Sequence, residues 1–258
     1  MHAATCTLSR RRAGSATRNG SRGVDLRPTA STTFHRLAEC GFTLIEVLVT
    51  CTIIGVLAGI TVPTYIARRI SANEGAVVAT LRAVSQAQFQ FRAQNSVDTN
   101  RDGGSEYGSL GELAAVDPLR GLSEPLSQRL LSSTLGTLDN NGHAILHGYR
   151  LALYLPDASG AGVLATLANR SQFDALGARD YYTCLAWPIS VDVTGHRTYF
   201  LNQQGQVLKT LANPYSGLAS IPPAGAGLQG TSGPGQINSQ FLAANATGAD
   251  GRAWAPVH

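Results

Sequence analysis

Phe42 to Val62 is a run of 21 residues with a single charge, Glu46. As a helix rising 1.5 Å per residue, such a run is long enough to cross the roughly 30 Å hydrocarbon core of a bilayer. A carboxylate inside an apolar span costs about 2.5–3.5 kcal/mol on insertion scales, so its presence asks for a compensating partner. One is close at hand. A cut between Gly41 and Phe42 would create an amine one helical turn from Glu46, and in an assembly a neighbour's amine would meet the same carboxylate. A secretory signal has a shorter apolar core that ends in a small-residue cleavage site. Here the apolar run passes without a break through Pro63 and Arg68-Arg69 into a helical pattern.

The charge distribution separates a leader from the rest. Residues 1–41 hold seven arginines (Arg10, Arg11, Arg12, Arg18, Arg22, Arg27, Arg36) against Asp25 and Glu39, and the remaining 217 residues carry 13 basic and 14 acidic groups. The chain's basic balance therefore belongs to the leader and gives no argument for a nucleic-acid-binding surface on the remainder. A twin-arginine signal at Ser9–Arg12 would need its apolar stretch close behind, and about thirty polar residues intervene. Leu37–Cys40 has Glu39 where a lipoprotein box needs a small residue. Met1 is the only methionine, and the leader's length predicts a later start at a non-Met codon such as Val24 or Leu26. Of four cysteines, Cys6 and Cys40 lie in the leader, Cys51 in the apolar run and Cys184 far downstream, so no intrachain disulfide is expected.

The stretch Gly41-Phe42-Thr43-Leu44-Ile45-Glu46-Val47-Leu48-Val49 resembles the processing site and helix start of type IV prepilins and type II secretion pseudopilins. The resemblance implies a membrane aspartyl peptidase that cuts after Gly41 and methylates Phe42, and a Glu46 that aligns the next subunit on assembly. Gly55, Gly59 and Pro63 fall where such pilins carry helix-loosening residues. Gly55-x-x-x-Gly59 equally suits close helix packing in a membrane. Pro63 removes a backbone donor and is expected to kink or locally melt the helix.

Beyond Pro63, Val77, Leu81, Val84, Gln88 and Phe91 recur at alternating spacings of four and three, widened by Val78, while Asn73, Glu74, Arg82, Gln86 and Gln90 mark the exposed side. One helix is predicted from Thr43 to about Gln94, some 75–80 Å long, with a membrane-embedded first half. Its second half needs a sheet to cover the apolar stripe. After a polar loop, Leu110–Ala114 and Leu119–Leu131 read as short helical pieces punctuated by Pro118 and Pro125. Asp139–Gly142 is a strong turn, Tyr149–Pro156 an alternating strand, Tyr181–Pro188 a second, and Arg197–Leu201 with Gln206–Thr210 a hairpin around Asn202–Gly205. This last stretch resembles the C-terminal sheet of a pseudopilin-like group with a Trp-Pro…Gly-His-Arg-Thr-Tyr-Phe pattern.

The fold expected is α+β: a long N-terminal helix on a small antiparallel sheet of three or four strands, in the lollipop form of pilins. The divisions expected are a leader (1–41), a transmembrane helix (42–62), the soluble half of the helix (63–95), a globular head (96–212) and a Gly/Ala/Pro-rich tail (213–258). The tail's composition predicts that it wraps the surface or stays mobile, with Trp254 docking it.

Asp98-Thr-Asn100-Arg-Asp102-Gly103 places oxygens on alternate residues of a loop, with a glycine for the bend, as a calcium shell requires. The twelfth position of a full EF-hand loop would be Ser109 rather than a glutamate, and Glu106 stands closer in as a substitute. A polar turn ending the long helix is the plain alternative. His143 and His147 would lie about 13 Å apart on a strand, too far to share a metal. Cys184 reads as a small buried strand residue. No Ser/His/Asp set, paired catalytic carboxylates or phosphate-binding glycine loop stands out, and no enzyme is expected. The resemblance implies a structural subunit of the bacterial inner membrane with a periplasmic head. Its partners would be a prepilin peptidase, other pilin or pseudopilin subunits and an assembly platform. A DNA-uptake pilus subunit, disfavoured by the near-neutral charge of the mature part, and a non-assembling membrane-anchored binding protein are the alternatives.

Overall fold

A computed structural model describes residues 42–230, 233–240 and 246–257. By its contacts the chain divides into two compact units, 1–49 and 50–258. In the first unit the described residues are 42–49, and the leader, Gly41 included, lies outside the described part.

Helix α1 runs from Leu44 to Ala93, 50 residues, within a residue of the span predicted at each end. Thr43 caps it: its hydroxyl and carbonyl both accept from the Glu46 N–H, at 3.3 and 3.1 Å. The large apolar side chains from Phe42 to Ile66 are exposed, and the helix contains a window long and apolar enough to cross a membrane. From Ile70 onward the predicted stripe of Val77, Val78, Leu81, Val84, Gln88 and Phe91 is buried, with Ala87 beside it.

The stripe packs on one face of an antiparallel sheet. Its strands are β1 (Ala144–Leu146), β2 (Tyr149–Pro156), β3 (Gly162–Leu164), β4 (Thr183–Pro188), β5 (Tyr199–Asn202), β6 (Val207–Thr210) and β7 (Trp254–Pro256). They lie in the order β1-β2-β4-β5-β6-β7, with β3 also paired to β2. Among the described residues seven strands stand where three or four were expected. The four long alternating segments are the predicted ones. The three extra strands are only three residues long, too short for alternation to show, and exist because a neighbouring strand recruits them.

Strand alternation divides the core in two. Tyr149, Leu151, Leu153 and Leu155 of β2, with Cys184, Ala186, Tyr199, Leu201 and Val207, meet the α1 stripe. Ala152, Leu185, Trp187, Phe200 and Leu208 point the other way, into a second cluster with Tyr215, Ala226, Leu228, Ile237 and Trp254 of the C-terminal segment. The described part of the tail is thus a packed layer. It is fastened by Thr183 Oγ1 donating to Ala224 O (2.8 Å), Trp187 Nε1 to Gly217 O (2.7 Å), and Tyr215 and Trp254 to the two oxygens of Asp250 (2.6 and 3.1 Å). Its glycines serve close approach. A Cβ on Gly225 would fall 2.0 Å from Gln236 O, and one on Gly227 would fall 2.5 Å from the Phe200 ring.

Between α1 and β1 the chain forms a capped turn α2 (Leu110–Leu113) and α3 (Ser133–Gly136), and α4 (Ala175–Asp180) stands between β3 and β4. The helical piece expected at Leu119–Leu131 does not form. Pro118 and Pro125 pair as a β-bridge, Gly121 adopts φ 77°, and the Leu130 and Leu131 N–H groups donate to Leu113 O. Pro125, inside the expected segment, lacks the N–H a helix would need there and its ring would clash with the preceding turn.

Candidate functional site

Phe42 opens the described chain and is 78% exposed, and Glu46 sits in the first turn of α1. An acidic group in that turn lies at the positive end of the helix dipole. Gly55 and Gly59 lie on open helix surface, with no atom within 4 Å of where a side chain would begin. The helix passes through Pro63 without interruption. Pro63 has no N–H for the Gly59 carbonyl, while the Thr61 and Thr64 hydroxyls donate to Leu57 O and Ile60 O. The structure thus brings Phe42 and Glu46 to one helix start and spaces Gly55, Gly59 and Pro63 along the apolar half beyond it.

The four oxygen-bearing residues singled out beyond the helix separate. Asp98 accepts from the Asp102 and Gly103 N–H groups (3.2 and 3.0 Å). Asp102 takes the Gly104 N–H (2.7 Å) and the Asn100 amide (2.8 Å), bonds that hold its carboxyl below the usual range, with Arg179 at 3.4 Å. These three residues form a closed polar turn. Glu106 is turned inward, 1% exposed, accepting from the Thr99 N–H (2.8 Å) and hydroxyl and pairing with Arg120 at 2.9 Å. An ion at the turn would have to be held by Asp98, Asn100 and Asp102 without it. Among the described residues no three His, Cys, Asp or Glu side chains are grouped to hold a metal.

Glu106 belongs instead to a buried charge network. Arg120, 5% exposed, joins Glu106 to Glu112 (3.1 Å through Nε) and donates to the Tyr107 carbonyl, with its guanidinium 5.6 Å from the centre of the Phe173 ring. Glu112 also takes the Arg120 N–H (2.9 Å) and closes a capping box with Ser109. Every oxygen of both carboxylates is thus bonded, which is what makes burial of such charges tolerable. Ser109-x-x-Glu112 was the one sequence signal for this network, a capping-box spacing.

His143 is buried edge-on to Trp187 (ring centres 4.9 Å apart), and His147 is exposed in the turn before β2 with φ 51°. The two imidazoles do not face one site. Burial lowers the His143 pKa, with Asp139 opposing. Cys184 is buried in β4, its thiol pushed up to about 12 by burial. It is no thiolate at neutral pH.

Residues 36–62 match the family model described as the prokaryotic N-terminal methylation motif. No curated protein and no solved structure matches the chain. The match covers Arg36, the Gly41–Phe42 step, Glu46 and the apolar run, so the motif and the start of α1 coincide. With a long N-terminal apolar helix followed by an antiparallel sheet, this chain carries the N-terminal methylation motif that is the hallmark of the type IV pilin and pseudopilin family.

Proposed function

We propose that the protein is a pilin-like structural subunit, made as an inner-membrane precursor and cut between Gly41 and Phe42 by a prepilin peptidase. The new amine is methylated on Phe42, and the helices then pack into a type IV pilus or a type II secretion pseudopilus. One observation carries this reading: a single carboxylate, Glu46, in the first turn of a helix otherwise apolar enough to cross a membrane. In hydrocarbon that charge is costly unless an amine neutralises it, and the amine made by the cut is the nearest one the chain supplies. Gly55, Gly59 and Pro63 weaken the same helix where assembly would ask it to adapt.

Two measurements test the proposal. Sequencing the N-terminus of protein from envelope fractions is expected to begin at methylated Phe42, and a mature chain that keeps residues 1–41 overturns it. Glu46→Ala is expected to leave processing intact while sheared filament or pseudopilus yield falls about tenfold or more, as expected when a lipid-buried charge loses its partner. An unchanged yield would mark a membrane-anchored protein that does not assemble.

A further inference from the structure

Two surface grooves of opposite charge flank the sheet. The first, about 600 Å³, lies beside β1 and β3 and is lined by Asp117 and Asp139 with Asn140, Asn169 and Thr137 among its walls; no basic residue lines it. Asp139 is already paired with Arg150. Asp117 is half-buried; its N–H donates to Gly111 O (3.1 Å), its carboxylate accepts no hydrogen bond among the described residues, and burial pushes its pKa up with Arg170 opposing. The second groove, about 380 Å³, runs between α1 and β5–β6 and is lined by Arg82, Arg197 and Lys209. Its one carboxylate, Glu74, accepts the His196 N–H at 2.8 Å. None of the three cations has an ion-pair partner among the described residues. Tyr199 and Lys209 are partners in the sheet register, so Lys209 shares the helix-facing side of the sheet.

β1 and β6 are separated by β2, β4 and β5, four strand spacings or about 19 Å. The grooves therefore lie toward opposite ends of the strand order. Opposite charges toward opposite ends of one sheet suit a heterologous contact: one copy's cationic groove meets the next copy's acidic groove in the same orientation, and the contact repeats. Copies anchored in one membrane share an orientation, so they can form such a contact without turning over. Pairing one groove with its own kind would set three cations against three, or carboxylate against carboxylate.

We propose that the Arg82–Arg197–Lys209 groove of one copy docks against the Asp117 groove of a second copy, with the two copies in parallel. The proposal rests on the assembly reading above and names the surface that carries it. The neighbouring amide and hydroxyl oxygens of Asn140, Asn169 and Thr137 are acceptors for the guanidinium groups the carboxylate leaves unsatisfied.

Lys209 is the only lysine in the chain, which permits a sharp test. Full-length protein, mixed from unlabelled and nitrogen-15-labelled copies in native membranes, is treated with a zero-length carboxyl–amine coupling reagent and mapped by mass spectrometry. The expected product is a mixed-isotope link from Lys209 to Asp117 or Asp139. Lys209→Arg, which keeps the charge but not the amine, is expected to lose the link and keep assembly. Lys209→Glu and Asp117→Arg are each expected to lower oligomer yield about fivefold, the effect of inverting one interfacial charge, and the double exchange to restore it. Assembly with Lys209 linked to other sites, with no link at all, or to a different protein overturns the docking and leaves the assembly reading standing. Absence of any oligomer removes both. Links within single copies only also refute the docking.

Discussion

Asp139 and His143 are the residues whose ionisation the fold changes most usefully. Partial burial works to raise the Asp139 carboxyl, but the N–H groups of His143 and Asn141 and the Arg150 guanidinium outweigh it and bring it down to about 2. A carboxyl held below its ordinary value near 3.9 adds stability above that pH and surrenders it as pH falls toward 2. His143 is the opposite kind of group with the same direction of loss. Burial lowers its pKa, so the neutral ring's contribution is complete above about pH 6.5 and is lost as pH falls through the folded value. Melting temperature measured from pH 7.5 down to pH 2.5 is therefore expected to fall in two limbs. His143→Gln should flatten the upper limb and Asp139→Asn the lower one. A curve level from pH 7 to pH 4 in the unmodified protein would refute the first assignment. At this same scale Glu46 was readable in advance, because a lone charge in an apolar run is conspicuous before any fold is known. The pairing of Glu106 was not readable, because its partner Arg120 stands fourteen residues away and only a folded loop brings the two together.

Among the elements, α1 was legible nearly to the residue, since a 3.6-residue repeat running on from an apolar span has one interpretation. The segment from Ser96 to Leu131 was not. It has little regular structure, and what orders it is the network around Arg120, which ties Glu106, Glu112 and the Tyr107 carbonyl at one point. Removing the cation leaves two carboxylates buried without compensation, so Arg120→Met is expected to cost about 3–5 kcal/mol. Replacing Glu106, Glu112 and Arg120 together by apolar residues of similar volume should recover much of that loss. Denaturant titration of the three proteins checks both outcomes. A loss under about 1 kcal/mol for Arg120→Met, the range of exposed pairs, would mean that water reaches the network.

On the scale of the whole molecule the decisive feature is the second layer. The sheet's far face presents Leu185, Trp187, Phe200 and Leu208, and the chain returns over it through Tyr215, Ala226, Leu228 and Ile237 to Trp254, which then adds the edge strand β7. Trp254 is fully buried and bonded to Asp250, so Trp254→Ala is expected to cost about 3–5 kcal/mol. Truncation after Ala212 should expose the entire apolar face and yield protein that aggregates or is degraded. Limited proteolysis of the full chain is expected to spare residues 213–230. Rapid cleavage there, with the rest intact, would contradict the layer.

Local pattern was sufficient for the apolar span with its single acidic residue Glu46, the buried stripe of α1 and the four long strands. Each of these depends on neighbours within a turn or a few strand residues, and hydrophobic periodicity records such neighbours directly. Tertiary structure alone decided that the glycine-rich C-terminal segment is a layer, that three-residue pieces become strands, and that Glu106 faces Arg120. Those outcomes follow from which distant surfaces meet, and in a tail whose glycines mark tight approach, composition resembles looseness until the surface beneath it is known.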